Sequence, residues 1–176
     1  MTSSPWLVVI DMQLAFAAPS SQWAAEGYPE IVPTVEKLAD AHRGRVVYTR
    51  FVRDPAEHGQ WSAYYDRWPS FRVTPEDPVW ELTLTVPAEV PVIDEPTFSK
   101  WAPQLQRVVG DAPLRICGVA TECCVLGTAL AAADDGREVV VIADACAGAS
   151  HELHNQALTI MDTMAPLLSV TTSDRL

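Results

Sequence analysis

Residues 114–136 read LRICGVATECCVLGTALAAADDG. The first seven are apolar and partly β-branched without alternation, the pattern of a strand buried on both faces of a parallel sheet. From Thr121 onward alanine and leucine take over until Gly136, so the stretch predicts a strand that passes directly into a helix. The rest of the chain repeats that unit. Apolar runs recur at WLVVI (6–10), RVVYT (45–49), VPVI (90–93), EVVVIA (138–143) and LLSVTT (167–172). Segments of helical character lie between them at PEIVPTVEKLADAHR (29–43), KWAPQLQRVVG (100–110) and HELHNQALTIMDTMAP (151–166). The alternation predicts a three-layer, doubly wound, Rossmann-like α/β fold. It has a mostly parallel six-stranded sheet, helices on both faces, and any site at the carboxyl ends of the strands.

The totals agree with one domain spanning residues 1–176, because 176 residues with 48% hydrophobic content can fill a single core. Twelve basic against 23 acidic side chains give a formal charge of −11, which repels phosphate backbones and anionic lipid. Neither nucleic acid nor membrane is expected as a partner. The N-terminal MTSSPWLVVIDMQ lacks the features of a signal peptide and no apolar run is long enough to cross a bilayer, so the expected location is cytoplasmic. Four cysteines, two of them adjacent, do not make a disulfide framework and are expected as thiols.

Residues 53–89 break the alternation, being dense in proline and aromatic residues without a clear period. Such a stretch is either an ordered loop carrying pocket walls or an aromatic flap sealing the core. Phe16, Trp23, Trp61, Tyr65 and Trp68 are the candidates for a substrate-binding wall, chosen by position and type.

Cys123 and Cys124 fall in the first turn of the helix after residue 120, where free backbone N–H groups favour a thiolate. At helical spacing Cys123 lines up with Leu126, Leu130 and Ala133, whereas Cys124 lies about 100° away beside Thr128 and Ala131. Spacing therefore favours Cys124 as the nucleophile and leaves open a purely structural pair. Asp11 follows WLVVI at a strand's carboxyl edge, where it can take a proton from a thiol or simply form a turn. Lys100 precedes a helix near the same edge, and its ammonium either reaches that site or is a solvated surface group. No metal is expected: Asp54 and His58 have no third ligand nearby, and His151 and His154 are assigned to surface or capping roles. No Gly-rich phosphate loop occurs, so no cofactor is expected.

Taken together, VVIDMQLAF (8–16), VVYTR (46–50), VIDEPTFSKW (92–101), ICGVATECCVLGTALAAADDG (116–136) and VVVIADACAG (139–148) resemble the isochorismatase-like cysteine hydrolase superfamily. That group includes nicotinamidases, N-carbamoylsarcosine amidohydrolase-type enzymes and isochorismatases. The resemblance covers almost the whole chain, GVATECCV being its most specific part. It implies Cys124 as nucleophile, Asp11 as the base, and a cis peptide from Val119 to Ala120 that turns the amides of Ala120 and Cys124 toward a substrate oxyanion. It also implies homodimers or larger homo-oligomers.

Two departures stand out. Relatives carry a lysine where this chain has Glu95, and Lys100 lies five residues later. Nicotinamidases show an aspartate and two histidines after the second strand, and here only Asp54 and His58 are present, which disfavours a metal-dependent nicotinamidase. The expectation is a metal-independent cysteine amidohydrolase acting on a small amide or carbamoyl-type compound, with Asp11, Lys100 and Cys124 as its triad. The alternatives are an ether hydrolase of the isochorismatase type, which needs the aspartate and not the thiol, and a catalytically silent, redox-sensing family member.

Overall fold

The order of the strands follows from which apolar runs are sealed on both sides. The computed structural model describes residues 4–176. Strand β1 (Trp6–Ile10) is central, with Leu7, Val8, Val9 and Ile10 all at 0% exposure. It pairs in parallel with β2 (Val46–Phe51) on one side and β4 (Leu114–Val119) on the other. Strand β3 (Val92–Glu95) adds beyond β2, and β5 (Val139–Ala147) and β6 (Leu168–Thr171) add beyond β4. The sheet runs β3-β2-β1-β4-β5-β6 with every pairing parallel, which is the doubly wound α/β architecture read from the sequence.

The helices bury narrow stripes against this sheet. In α2 (Tyr28–Ala41) the buried residues are Tyr28, Ile31, Val35 and Leu38, at helical spacing, and they face β1, β4 and β5. Helices α1 (Leu14–Ala17), α3 (Trp61–Arg67) and α4 (Pro103–Val109) are short. Helix α5 (Leu126–Asp134) follows β4, and α6 (His151–Asp162) starts at Ser150, whose hydroxyl caps the Leu153 N–H at 3.2 Å. No helix among the described residues is long and apolar enough to cross a membrane.

Several boundaries differ from the sequence expectation. The strand expected at 138–143 continues to Ala147, and the helix expected from Lys100 begins only at Pro103, which leaves Lys100 in an irregular segment. The irregular 53–89 stretch contains α3 and two single 3₁₀ turns, Pro69–Phe71 and Pro78–Trp80.

The strand order reverses between β1 and β4, since β2 and β3 lie on one flank of β1 and β4 to β6 on the other. At such a switch point the loops leaving adjacent strands diverge and open a crevice. Gly118 brings the two strand ends unusually close there, because a Cβ on it would lie 2.1 Å from the Ile10 carbonyl oxygen. Its φ of +112° also suits glycine alone. Asp11 leaves β1 and Cys124 follows β4 at this crevice.

Candidate active site

Asp11 is the first residue beyond β1 and adopts φ +50°, a left-handed conformation that turns the chain out of the sheet. Its amide donates to the Thr49 carbonyl oxygen at 3.2 Å, and the Thr49 hydroxyl donates to Asp11 Oδ1 at 2.7 Å. Oδ2 faces the Lys100 ammonium at 3.1 Å, and both side chains are 0% exposed. That contact is an ion pair without hydrogen-bond alignment, so among the described residues Oδ2 keeps room for another donor.

Lys100 reaches this point from the irregular segment after β3. Its amide donates to Thr128 Oγ1 at 2.9 Å, which fixes its backbone against α5. The ammonium donates to the Thr97 carbonyl at 2.7 Å and the Glu95 carbonyl at 3.3 Å, and the Phe51 ring centroid lies 4.7 Å away. Two carbonyls accept from the ammonium and the Asp11 carboxylate offsets its charge, which makes a fully buried ammonium tolerable. Position 95 thus supplies a backbone oxygen to the cation that stands five residues later.

Between β4 and α5 the chain makes one wide turn, Thr121–Val125. The Val125 amide reaches back five residues to the Ala120 carbonyl at 3.2 Å, and the Cys123 amide donates to the same oxygen at 3.0 Å. Turns of this width recur at functional sites because they re-aim a side chain within a helix. The Val119–Ala120 peptide is cis. Two side-chain contacts clasp the turn to α6: Thr121 Oγ1 lies 2.8 Å from His154 Nδ1, and the Ala149 amide donates to Glu122 Oε1 at 2.9 Å. Gly148 makes room for that carboxylate, since a Cβ there would lie 2.5 Å from Glu122 Oε2. His154 is therefore half-buried and engaged with this turn, which corrects its assignment to a surface or capping role.

Cys124 is 2% exposed and its thiol interacts with the Asp11 carboxylate. The helical-spacing argument that favoured it placed the buried side of the helix on the wrong residues. Leu126 and Leu130 are only half-buried, while Thr128, Ala129, Ala132 and Ala133 face inward, because a helix lying close to a sheet puts its small residues there. Cys124 lies on this inward side, toward Asp11, and Cys123 on the outer one.

The expected thiolate is also revised. Burial pushes the Cys124 thiol well above its usual range, the Asp11 charge pushes it further, and Lys100 pulls it back by less. The resting group is a thiol beside the Asp11 carboxylate. Cys123 rises to about 11, first from burial and then from Glu122.

Cys124 opens on a cavity of about 140 Å³ whose wall includes Phe16, Trp23, Phe51, Tyr64, Trp68 and Phe98, with Ala120 and Cys123 beside it. Phe16, Trp23 and Trp68 were expected on that wall. Trp61 and Tyr65 are corrected: they line a separate depression with Asp54, Glu57, His58, Pro96 and Thr97. The reason is the period of α3. Tyr64 and Trp68 share one side of it, and Trp61 and Tyr65 the side about 100° away. Sequence reading also missed Thr49 and Thr128, buried hydroxyls that hold Asp11 and Lys100, and Gln13, whose side chain bonds the Phe51 and Trp80 carbonyls at 3.0 and 2.7 Å. For Thr49, a threonine near the carboxyl end of β2 was the one available signal.

A metal does not fit the residues present. Asp54 Oδ2 and His58 Nε2 are 3.8 Å apart on the surface, and Glu57 beside them is taken by Arg53 and Arg72. Among the described residues no three His, Cys, Asp or Glu side chains converge on one point.

The Isochorismatase domain family matches residues 5–174. No curated protein sequence matches the chain. Among solved structures, a cysteine hydrolase from Pseudomonas syringae pv. phaseolicola superposes with a TM-score of 0.85 at 21% identity, covering 97% of this chain and 89% of that one. A zinc complex of the pyrazinamidase of Pyrococcus horikoshii gives 0.78 at 25% identity, covering 97% and 99%. A nicotinamidase from Bacillus subtilis gives 0.77 at 21% identity, covering 96% and 99%.

Proposed function

The chain belongs to the isochorismatase family of hydrolases, and from that premise we propose that it is a cysteine hydrolase cleaving a C–N bond of a small amide or carbamoyl-type compound. The observation that carries this reading is that Cys124 lines an aromatic cavity with the Asp11–Lys100 pair beside it, both members of the pair sealed from solvent.

In this mechanism the substrate carbonyl lies beside Cys124 Sγ. As sulfur attacks, the thiol proton passes to Asp11 Oδ2, the oxygen with capacity left for it. The raised thiol makes this coupled transfer necessary, because little free thiolate exists beforehand. Thr49 on Oδ1 and Lys100 on Oδ2 hold the carboxylate in plane, and the Lys100 charge offsets the anion that develops at the sulfur. The amides of Ala120 and Cys124 receive the oxyanion; one such donor contributes about 3 kcal/mol of barrier lowering in other enzymes. Asp11 then returns its proton to the leaving amine. Water, deprotonated by the same carboxylate, releases the acid from the thioester.

The test is a screen of small amides and ureas for ammonia release, with mass spectrometry of the quenched enzyme. The expected result is turnover with acyl mass on the peptide containing Cys124, and none in Cys124→Ala. Turnover that survives Cys124→Ala but not Asp11→Asn overturns the thiol mechanism in favour of ether-type acid catalysis.

A further inference from the structure

The cavity wall owes its shape to a segment with little regular structure. Tyr64 and Trp68 come from α3 and the residue after it, and Phe71, three residues on, stacks on Trp23 at 3.6 Å between centroids and 9° between planes. The Ser70 hydroxyl donates to the Gln22 side chain at 2.5 Å alongside that stack. These contacts join the loop after α1 to the turn after α3, and α3 itself packs through Tyr65, which is 1% exposed, and through Trp61 and Tyr64 against Phe51, Phe98 and Trp23.

Arg72 clamps α3 from outside. It turns back from the end of the 3₁₀ turn, and its guanidinium donates to Glu57 Oε1 at 2.9 Å and Oε2 at 2.7 Å, a two-point fork on one carboxylate. The remaining N–H groups reach Asp66 Oδ1 at 2.6 Å, the Ser62 carbonyl at 2.8 Å and the Ser62 hydroxyl at 3.3 Å. Ser62 and Asp66 are one helical turn apart on α3, and Glu57 belongs to the loop before it. Arg53 completes the cluster from the end of β2: it donates to the same Glu57 oxygen at 2.8 Å and to the Val73 carbonyl at 3.0 Å. One guanidinium therefore holds the loop before the helix, the helix, and the turn after it in a single arrangement.

We propose that Arg72 is a positioning residue for substrate: by clamping Glu57, Ser62 and Asp66 it sets the Tyr64 and Trp68 rings at the distance from Cys124 that a planar substrate group requires. The inference rests on the reading of the Cys124 cavity as a binding cleft, and it concerns affinity and not bond cleavage. Its N–H groups are engaged by protein acceptors, so Arg72 does not itself contact substrate. Lysine in its place keeps the charge and loses the fork.

The test measures benzamide binding by calorimetry to the Cys124→Ala protein with and without Arg72→Gln. The affinity is expected to fall about tenfold, in the range that an ångström-scale misplacement of a binding wall produces. Arg72→Lys is expected to recover part of it. Alkylation of Cys124 by iodoacetamide, too small to need the aromatic wall, is expected within about twofold of the parent in Arg72→Gln with Cys124 retained. Unchanged benzamide affinity, no measurable benzamide binding to Cys124→Ala, or an equal loss in both readouts overturns the proposal. Should Arg72→Gln lose its cooperative melt, Asp66→Asn removes one partner alone, and unchanged affinity there also counts against the clamp. A failure of the amidase reading shows separately, as absence of ammonia release from any amide by the unmutated protein.

Discussion

Two groups of charge shape the cleft, and they are made differently. Lys100 and Asp11 form a pair at 3.1 Å with neither side chain exposed, Asp11 held at the end of β1 and Lys100 by the Thr128 hydroxyl of α5. Arg53, Glu57 and Arg72 form a cluster at the surface, with the Arg72 side chain 34% and that of Glu57 10% exposed, clamping from outside a segment whose inner side packs through Trp61, Tyr64 and Tyr65. In the first the scaffold positions the charges; in the second the charges position the scaffold. Removing a member should accordingly produce a sharp, local chemical defect in one and a diffuse loss of shape in the other.

The largest effect is expected at Lys100. Lys100→Met leaves the Asp11 carboxylate buried without its cation, and breaking a buried pair in this way costs about 3–5 kcal/mol. Urea unfolding should show that loss, and amide turnover should fall with it. Because Lys100 holds the thiol down, its removal also raises the Cys124 thiol further, so iodoacetamide labelling at neutral pH should slow. A lysine placed at 95 in a Lys100→Ala background is the sharper form of the experiment. The Glu95 backbone already touches the ammonium, and restored turnover would mean that the cation matters and its point of attachment does not. No recovery, with the fold intact, would tie the function to the irregular segment that carries Lys100.

Thr49→Val comes next. It keeps the buried shape and deletes the hydroxyl that donates to Asp11 Oδ1 at 2.7 Å. Hydrogen bonds to charged groups contribute about 1.5–3 kcal/mol, so kcat/KM should fall by about tenfold or more while KM changes little. Thr49→Ser should retain most of the activity. A valine variant with unaltered kcat would show that the backbone around Asp11 suffices to orient it.

The same contrast explains which parts of the molecule were legible in the sequence. Asp11 and Cys124 were found because each follows a continuous apolar run, and a parallel sheet delivers such positions to one edge. Lys100 was readable only as a candidate, since its placement depends on three residues, 100–102, staying outside the helix that begins at Pro103. The wall was half legible. Aromatic composition pointed to the 53–89 segment, but α3 is seven residues long and amid prolines shows no period, so nothing fixed its rotation. A turn of about 100° was enough to exchange Trp61 and Tyr65 for Tyr64. The facing of Cys124 was inferred from large apolar neighbours and came out inverted, because close packing on the sheet favoured alanine and threonine instead.

Asp11→Asn separates charge from chemistry at the first cluster. The carboxylate raises the Cys124 thiol, so its neutralisation beside Lys100 lowers the thiol and increases the thiolate present at neutral pH. Iodoacetamide labelling should therefore accelerate in the variant that has lost turnover. Slower labelling would mean that Asp11 acts on the thiol chiefly as a proton acceptor and not through its charge.

The smallest expected effect belongs to the second cluster and appears only in acid. Arg72, and after it Arg53, hold the Glu57 carboxyl down at about 2 against an ordinary value of 4.5. A group whose value is depressed on folding contributes stability that is complete above its unfolded value and lost as the pH falls through its folded one. The Glu57 contribution should thus be intact at neutral pH and decline between about pH 4.5 and pH 2. Thermal melts of Glu57→Gln against the parent test this, with the difference in Tm steady above pH 5 and shrinking as the solution is acidified toward the folded value. A difference that persists unchanged at the acid end would show that the amide loses packing and not charge. The surface cluster would then hold α3 by shape alone, and the division between the two groups of charge would narrow.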